Sequence, residues 1–247
     1  DKYDVTSYKD NKNISTDYKY VSYTSTPENT ISGTVSQDTI IVNYYYVLKT
    51  ATINIKYLDE LTNKSILNEE NIQTKYGVEY SSLNLDSYKK EITGYDYSKT
   101  ETTPKEISGK VNQDTTTIIH YYKKKATVTV NYYKEGTTEK LAETDTLNKY
   151  YGDTYDVSTN EYKNKSTIPS KYEYSSVNPS NEVTGTITKS SIIINYYYKL
   201  KDAKIVINYL EDKTNNKLAE STVIDKKYDD KYDVTSYKDN KNISTDY

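Results

Sequence analysis

The chain has 247 residues with 33 basic side chains against 36 acidic ones, a formal net charge of −3, and every strong base is lysine. The two signs are interspersed, so no basic stripe marks a nucleic-acid surface, and no apolar run approaches the ~20 residues that cross a bilayer. Cysteine is absent and histidine occurs once, which excludes disulfides, thiolate metal sites and thiol nucleophiles.

The opening stretch, DKYDVTSYKDNKNISTDY, returns unchanged at 230–247, so the sequence that starts at Asp1 starts again at Asp230. A shorter period lies inside that one. IIVNYYY, TIIHYYK and IIINYYYK place Asn43, His120 and Asn195 in one slot at nearly even spacing. Ala51, Ala126 and Ala203 open three similar segments, and Gly33, Gly109 and Gly185 keep step, each preceded by Pro27, Pro104 or Pro179. The pattern predicts one period of a tandem array, cut inside a module. Residues 1–49 read as the C-terminal part of a module, 50–124 and 125–200 as complete modules, and 201–247 as the N-terminal part of the next.

Each module reads as mainly β. In ATINIKY, Ala51, Ile53, Ile55 and Tyr57 alternate with Thr52, Asn54 and Lys56, a period of two that puts the first set on a buried face. Val128, Val130 and Tyr132, then Ile205, Ile207 and Tyr209, repeat it. A polar turn, a second alternating stretch and a variable region follow, with weak helix signals around Ser81 to Glu91. GYDYSKTETTPKEISGKVNQDT then reads as a strand, a proline-bearing loop and a glycine-led hairpin into the closing strand. In that last strand the spacing assigns Ile40, Val42 and Tyr44, Thr117, Ile119 and Tyr121, and Ile192, Ile194 and Tyr196 to the core face. Tyr45, Tyr122 and Tyr197 are thereby the expected outer-face set.

The order VTVNYY, KLAET, YYGDTY, VTGTIT, IIINYYYK in residues 126–199 resembles the MucBP-type repeat of mucin-binding adhesins of Gram-positive bacteria, and the likeness extends over the whole chain. The resemblance implies α+β, ubiquitin-like β-grasp modules strung end to end as an elongated rod. It also implies an extracellular location on the bacterial cell surface, with wall attachment through other parts of the protein. One departure stands out: Tyr76-Gly77 and Tyr151-Gly152 become Tyr228-Asp229.

His120 titrates nearest neutral pH, yet its assigned slot is asparagine in both sister modules, so it reads as polar filler, His120→Asn is expected to fold normally, and no catalytic constellation recurs. The acidic run DKKYDDKYD could offer oxygens to Ca²⁺, but its lysines oppose that, and no metal or cofactor is expected. Lys56, with His120 as its expected cross-strand neighbour, makes a poor candidate for a lysine–asparagine crosslink. The 32 tyrosines, with no Phe or Trp, suit half-exposed faces that stack on sugar rings or protein partners. The expectation is a non-enzymatic stalk segment of an adhesin. Its partners would be neighbouring repeats and host mucin or other glycoprotein glycans, bound weakly and multivalently through Tyr45, Tyr122 and Tyr197. The alternative is a spacer or fibre-forming segment with no ligand.

Overall fold

The period-two segments form strands, and the computed structural model, which describes residues 1–239 and 242–243, is mainly β. The chain divides into two units, Asp1–Lys125 and Ala126–Tyr247.

In the first unit, β1 (Lys2–Asp4), β2 (Tyr18–Thr26), β3 (Ser32–Thr34) and β4 (Ile41–Leu48) form two antiparallel pairs, β1 with β3 and β2 with β4. Then follow β5 (Thr50–Asp59), β6 (Glu70–Lys75), β7 (Tyr95–Thr103) and β8 (Thr115–Lys134), whose residues from Ala126 onward belong to the second unit. The sheet order is β7-β8-β5-β6, with β8 parallel to β5 at the centre and both outer strands antiparallel to their neighbours. This is a β-grasp arrangement. Ala51, Ile53, Ile55 and Tyr57 are buried, as the alternation predicts, and Ile118 and Tyr122 of β8 meet them. Burying side chains of that size is worth about 1.5–3 kcal/mol each. The crossover after β6 is two 3₁₀ turns, Tyr80–Leu83 and Leu85–Tyr88, whose Tyr80, Leu83, Leu85 and Tyr88 cover this face.

The second unit repeats the plan. After β8 come β9 (Lys140–Tyr150), β10 (Thr154–Asp156), the one-turn helix α1 (Asn160–Lys163), β11 (Tyr172–Asn178), β12 (Thr184–Thr186) and β13 (Ser191–Leu200). The order is β11-β13-β8-β9, with β13 parallel to β8. Val128, Val130, Tyr132, Ile194, Tyr196 and Tyr198 form the centre of its core. β14 (Asp202–Leu210) and β15 (Lys217–Lys227) then pair antiparallel.

Two expectations are corrected. The glycine-led segment does not make a hairpin with the closing strand: β3 pairs with β1 and β12 with β10, so each glycine strand lies against a short strand well before it in the chain. The closing-strand register also shifts by one in the first unit. Tyr46, Tyr122 and Tyr198 each face the residue just before a bulge, at Tyr20, Tyr97 and Tyr174. His120 therefore takes the slot of Tyr44 and Tyr196, not of Asn43 and Asn195. The core face of this strand is Thr116, Ile118, His120 and Tyr122, while Thr117, Ile119 and Tyr121 are only half-buried. Length differences in the crossover and the proline loop cause the error. The step from one repeat to the next is shortest from Tyr57 to Tyr132, longer from Tyr122 to Tyr198 and longest from Tyr97 to Tyr174.

Candidate functional site

The inner face carries a tie that recurs. The Tyr57 hydroxyl donates to Glu70 Oε1 at 2.9 Å, and Lys90 Nζ lies 2.5 Å from the same oxygen. At the matching positions of the next repeat, Tyr132 donates to Asp145 Oδ2 at 2.5 Å and Lys165 Nζ lies 2.6 Å from both carboxylate oxygens. The bond from Lys90, then that from Tyr57, holds Glu70 below the usual carboxylate range. Burial pushes Asp145 upward, but the bonds from Lys165 and Tyr132 outweigh it and the net shift is down. Burial, then the facing carboxylate, pushes both phenols up. Each carboxylate stays ionised and each phenol protonated at neutral pH, so the group fastens the second strand and the crossover to the first and holds no poised acid or base. In the last repeat the pair becomes Tyr209 and Thr222, 3.1 Å apart.

His120 is 5 % exposed, between the rings of Tyr57 and Tyr97 at 5.8 and 6.3 Å. Its Nδ1 is 2.8 Å from Thr100 Oγ1. Its Nε2 is buried and has no hydrogen-bond partner among the described residues. Tyrosine in this slot reaches further: Tyr196 donates to the Val157 carbonyl at 2.6 Å, and Tyr44 donates to that of Val5. Burial first, then the nearby Lys89 charge, lowers the His120 pKa. The ring is thus core filler in a tyrosine slot.

The outer face holds the candidate contact residues. Tyr45 is 48 % exposed, its hydroxyl 3.2 Å from Thr24 Oγ1. Tyr197 is half-buried, its ring 6.2 Å from that of Tyr133. Tyr122 is not on this face. It is 1 % exposed, its hydroxyl donating to the Lys90 carbonyl at 2.9 Å and accepting from the Lys90 N–H at 3.1 Å. The one-residue register shift moves it to the core, and Tyr121 takes the outer position, half-buried, with Lys99 Nζ 4.9 Å from its ring centroid. The missed signal was the glycines: Gly33, Gly109 and Gly185 are evenly spaced, and Tyr45, Tyr121 and Tyr197 follow them at the same interval. The surroundings of these tyrosines differ. In the second unit Asn131 donates to Asn195 at 2.9 Å and Thr144 to Asn131 at 2.8 Å. In the first unit the matching pair is Lys56 and Ile119, which also corrects the expected His120 neighbour of Lys56. A half-exposed phenol beside amide groups suits stacking on a sugar ring with a hydroxyl bonded at its rim.

The acidic run is engaged otherwise. Asp229 pairs with Lys171 at 2.5 Å, Asp230 accepts from the Lys227 N–H at 2.8 Å, and Asp233 accepts from the Thr235 N–H at 2.9 Å. The tail of 230–247 includes residues outside the described ones.

A tandem of mixed β-grasp sheets, with a repeated inner tie and a repeated outer tyrosine, defines a modular repeat protein. The MucBP domain matches residues 52–123, 127–199 and 204–247, and the chain belongs to that family. It is 29 % identical over 220 residues to Internalin J of Listeria monocytogenes serotype 4b (strain F2365), covering 85 % of this chain and 22 % of that protein. It is likewise 29 % identical over 230 residues to Internalin J of L. monocytogenes serovar 1/2a (strain EGD-e), covering 90 % and 24 %. The chain thus spans about a quarter or less of these relatives. Among solved structures it is similar to Mub-RV and to the type 2 repeat of the mucus binding protein MUB from Lactobacillus reuteri. Both comparisons give a TM-score of 0.20 and cover 61 % of this chain, at 14 % and 13 % identity and covering 99 % and 100 % of those chains respectively.

Proposed function

We propose that the chain is a stalk-forming repeat segment of a bacterial cell-surface adhesin, displayed outside the cell and anchored through other parts of the protein, with no enzymatic role. Each repeat offers a weak glycan contact centred on its outer tyrosine, Tyr45, Tyr121 and Tyr197, and tandem copies add these contacts by avidity. The observation that carries this reading is the even recurrence of an accessible tyrosine on the outer sheet face of MucBP repeats. Retention of the chain on immobilised mucin, before and after enzymatic removal of glycans, tests it: retention that disappears with the glycans supports the contact, and equal retention on the stripped protein overturns it.

A second reading, a spacer with no ligand, is favoured by one observation. The neighbours of the outer tyrosine change from Lys56 and Ile119 to Asn131 and Asn195, whereas the inner Tyr–carboxylate–Lys tie recurs. No retention on either mucin preparation supports that reading.

A further inference from the structure

In both complete repeats the first strand and the last lie side by side and run the same way. β5 faces the part of β8 before Ala126 from Thr52 opposite Thr115 to Asp59 opposite Tyr122. The rest of β8 faces β13 from Thr127 opposite Ser191 to Lys134 opposite Tyr198. Backbone bonds carry each ladder to its ends. The Thr52 N–H donates to the Asp114 carbonyl at 2.9 Å and the Glu60 N–H to that of Tyr122 at 2.8 Å; in the second repeat Thr127 donates to Ser190 at 3.0 Å and Glu135 to Tyr198 at 2.8 Å. On the inner side Ile53, Ile55, Tyr57, Val128, Val130 and Tyr132 are fully buried, so water does not reach the ladders from there. The chain enters the first repeat at Thr50 and leaves it at Lys125, then enters the second at Ala126 and leaves it at Leu200. Because the paired strands are parallel, entry and exit lie at opposite ends of each ladder. Tension along the chain therefore slides one strand past the other and loads every bond of the ladder together, where an antiparallel pair would open one bond at a time.

We propose that each complete repeat is a load-bearing clamp, whose central parallel pair takes pulling force in shear and keeps the repeat folded while the chain is under tension. Resistance to force is set by the unfolding rate and not by equilibrium stability, and unfolding in this direction requires the whole ladder to give way at once. Side chains reinforce it. At the exit end the Tyr122 hydroxyl bonds both the N–H and the carbonyl of Lys90, and the Tyr198 hydroxyl donates to the Lys163 carbonyl at 3.0 Å, so each last strand is fastened to its crossover. In the second repeat Asn131 also donates to Asn195 across the parallel pair at 2.9 Å, where the first repeat has Lys56 opposite Ile119. The second repeat is thus the stronger clamp. The stalk reading gives such a clamp its use, but the clamp follows from strand order alone, and scattering that overturned the stalk would leave it standing. It needs no ligand and does not rest on the glycan contact.

The chain has no cysteine, so thiol tethers for single-molecule pulling can be placed at chosen points of the full chain. Thr50, Thr115, Lys123, Lys125 and Lys199 are all exposed. Tethers at Thr50→Cys and Lys123→Cys load the first repeat in shear, whereas Thr50→Cys and Thr115→Cys grip the same end of the same ladder and peel it. Both are expected to release about 200 Å of chain, the sheared repeat at several times the force of the peeled one. Circular dichroism melts of the two double variants are expected to coincide, so that the contrast reports direction of load and not stability. The second repeat, loaded through Lys125→Cys and Lys199→Cys, is expected to withstand more force than the first, a margin that Asn195→Ala removes. Equal forces in shear and in peeling overturn the clamp, and a margin that survives Asn195→Ala overturns the part given to the amide bridge.

Discussion

At position 120 a shorter, polar ring replaces the phenol found in the same slot at Tyr44 and Tyr196, and its Nε2 finds no hydrogen-bond partner among the described residues. An unsatisfied buried polar group costs about 1–3 kcal/mol, so His120→Tyr, whose hydroxyl extends towards the crossover backbone, is expected to raise the melting temperature of the first unit. His120→Asn, neutral on the sequence reading, is instead expected to cost about 2–3 kcal/mol, because it empties a packed core position. Acid has a definite sign here. The folded-state pKa of His120 lies below its ordinary value of 6.5, so the unfolded chain binds more protons and stability falls as pH drops below about 6.5. Glu70 acts in a lower window, losing its contribution only as pH falls below its ordinary 4.5 towards the lowered folded value. Melting curves at pH 7 and pH 5.5 are expected to show an acid-sensitive transition in the natural chain that His120→Tyr removes. The inner tie predicts a contrast as well: Tyr132→Phe loses a bond to an ionised carboxylate and is expected to cost about 1.5–3 kcal/mol, against about 0.5–1.5 kcal/mol for Tyr209→Phe, whose partner is a neutral hydroxyl. Chemical denaturation of the single variants reads both.

The turn after each second strand shows how a departure in sequence is accommodated. Gly77 and Gly152 adopt φ of +80° and +87°, and Asp229 in the same place adopts +65°. A Cβ in this region costs about 1–2 kcal/mol, aspartate being among the more tolerant residues, so Gly77→Ala is expected to destabilise the first unit by about that much. Asp229→Gly relieves the backbone but loses the exposed pair with Lys171, a solvent-screened surface contact, and its net effect is expected to be small in the same denaturation measurement. How legible each element was follows the same logic of local signal. The strand Ala51–Tyr57 could be read residue by residue because apolar and polar positions alternate cleanly. The closing strand could not: IIHYY carries large rings and aliphatics on both faces, and matching the polar His120 to the polar Asn43 chose the wrong register. A histidine buried in a tyrosine slot is the reverse of what polarity suggests, and only the evenly spaced glycines pointed to it. The glycine strands escaped for another reason, since their partners lie far back in the chain and no local pattern encodes such a pairing. Of the outer set, Tyr45 and Tyr197 were legible and lie on that face, whereas the buried Tyr122 stood where Tyr121 belongs.

At the scale of the molecule, the stalk reading makes length the adjustable property of tandem MucBP repeats, since copies of a repeated module can be added or lost while each keeps its own fold. The stalk reading expects a radius of gyration well above the ~18 Å of one compact domain of this length. Small-angle scattering checks this, and a value near ~18 Å overturns the stalk. Adhesion places a further demand on the outer face, where the glycan contact stands or falls. The most direct measurement is retention on glycosylated mucin of the natural chain beside the outer triple variant Tyr45→Ser, Tyr121→Ser, Tyr197→Ser, with circular dichroism on both. The adhesin reading predicts that the natural chain is retained and that the triple variant keeps its β signal and elutes unretained; a triple variant held as firmly as the natural chain would contradict it.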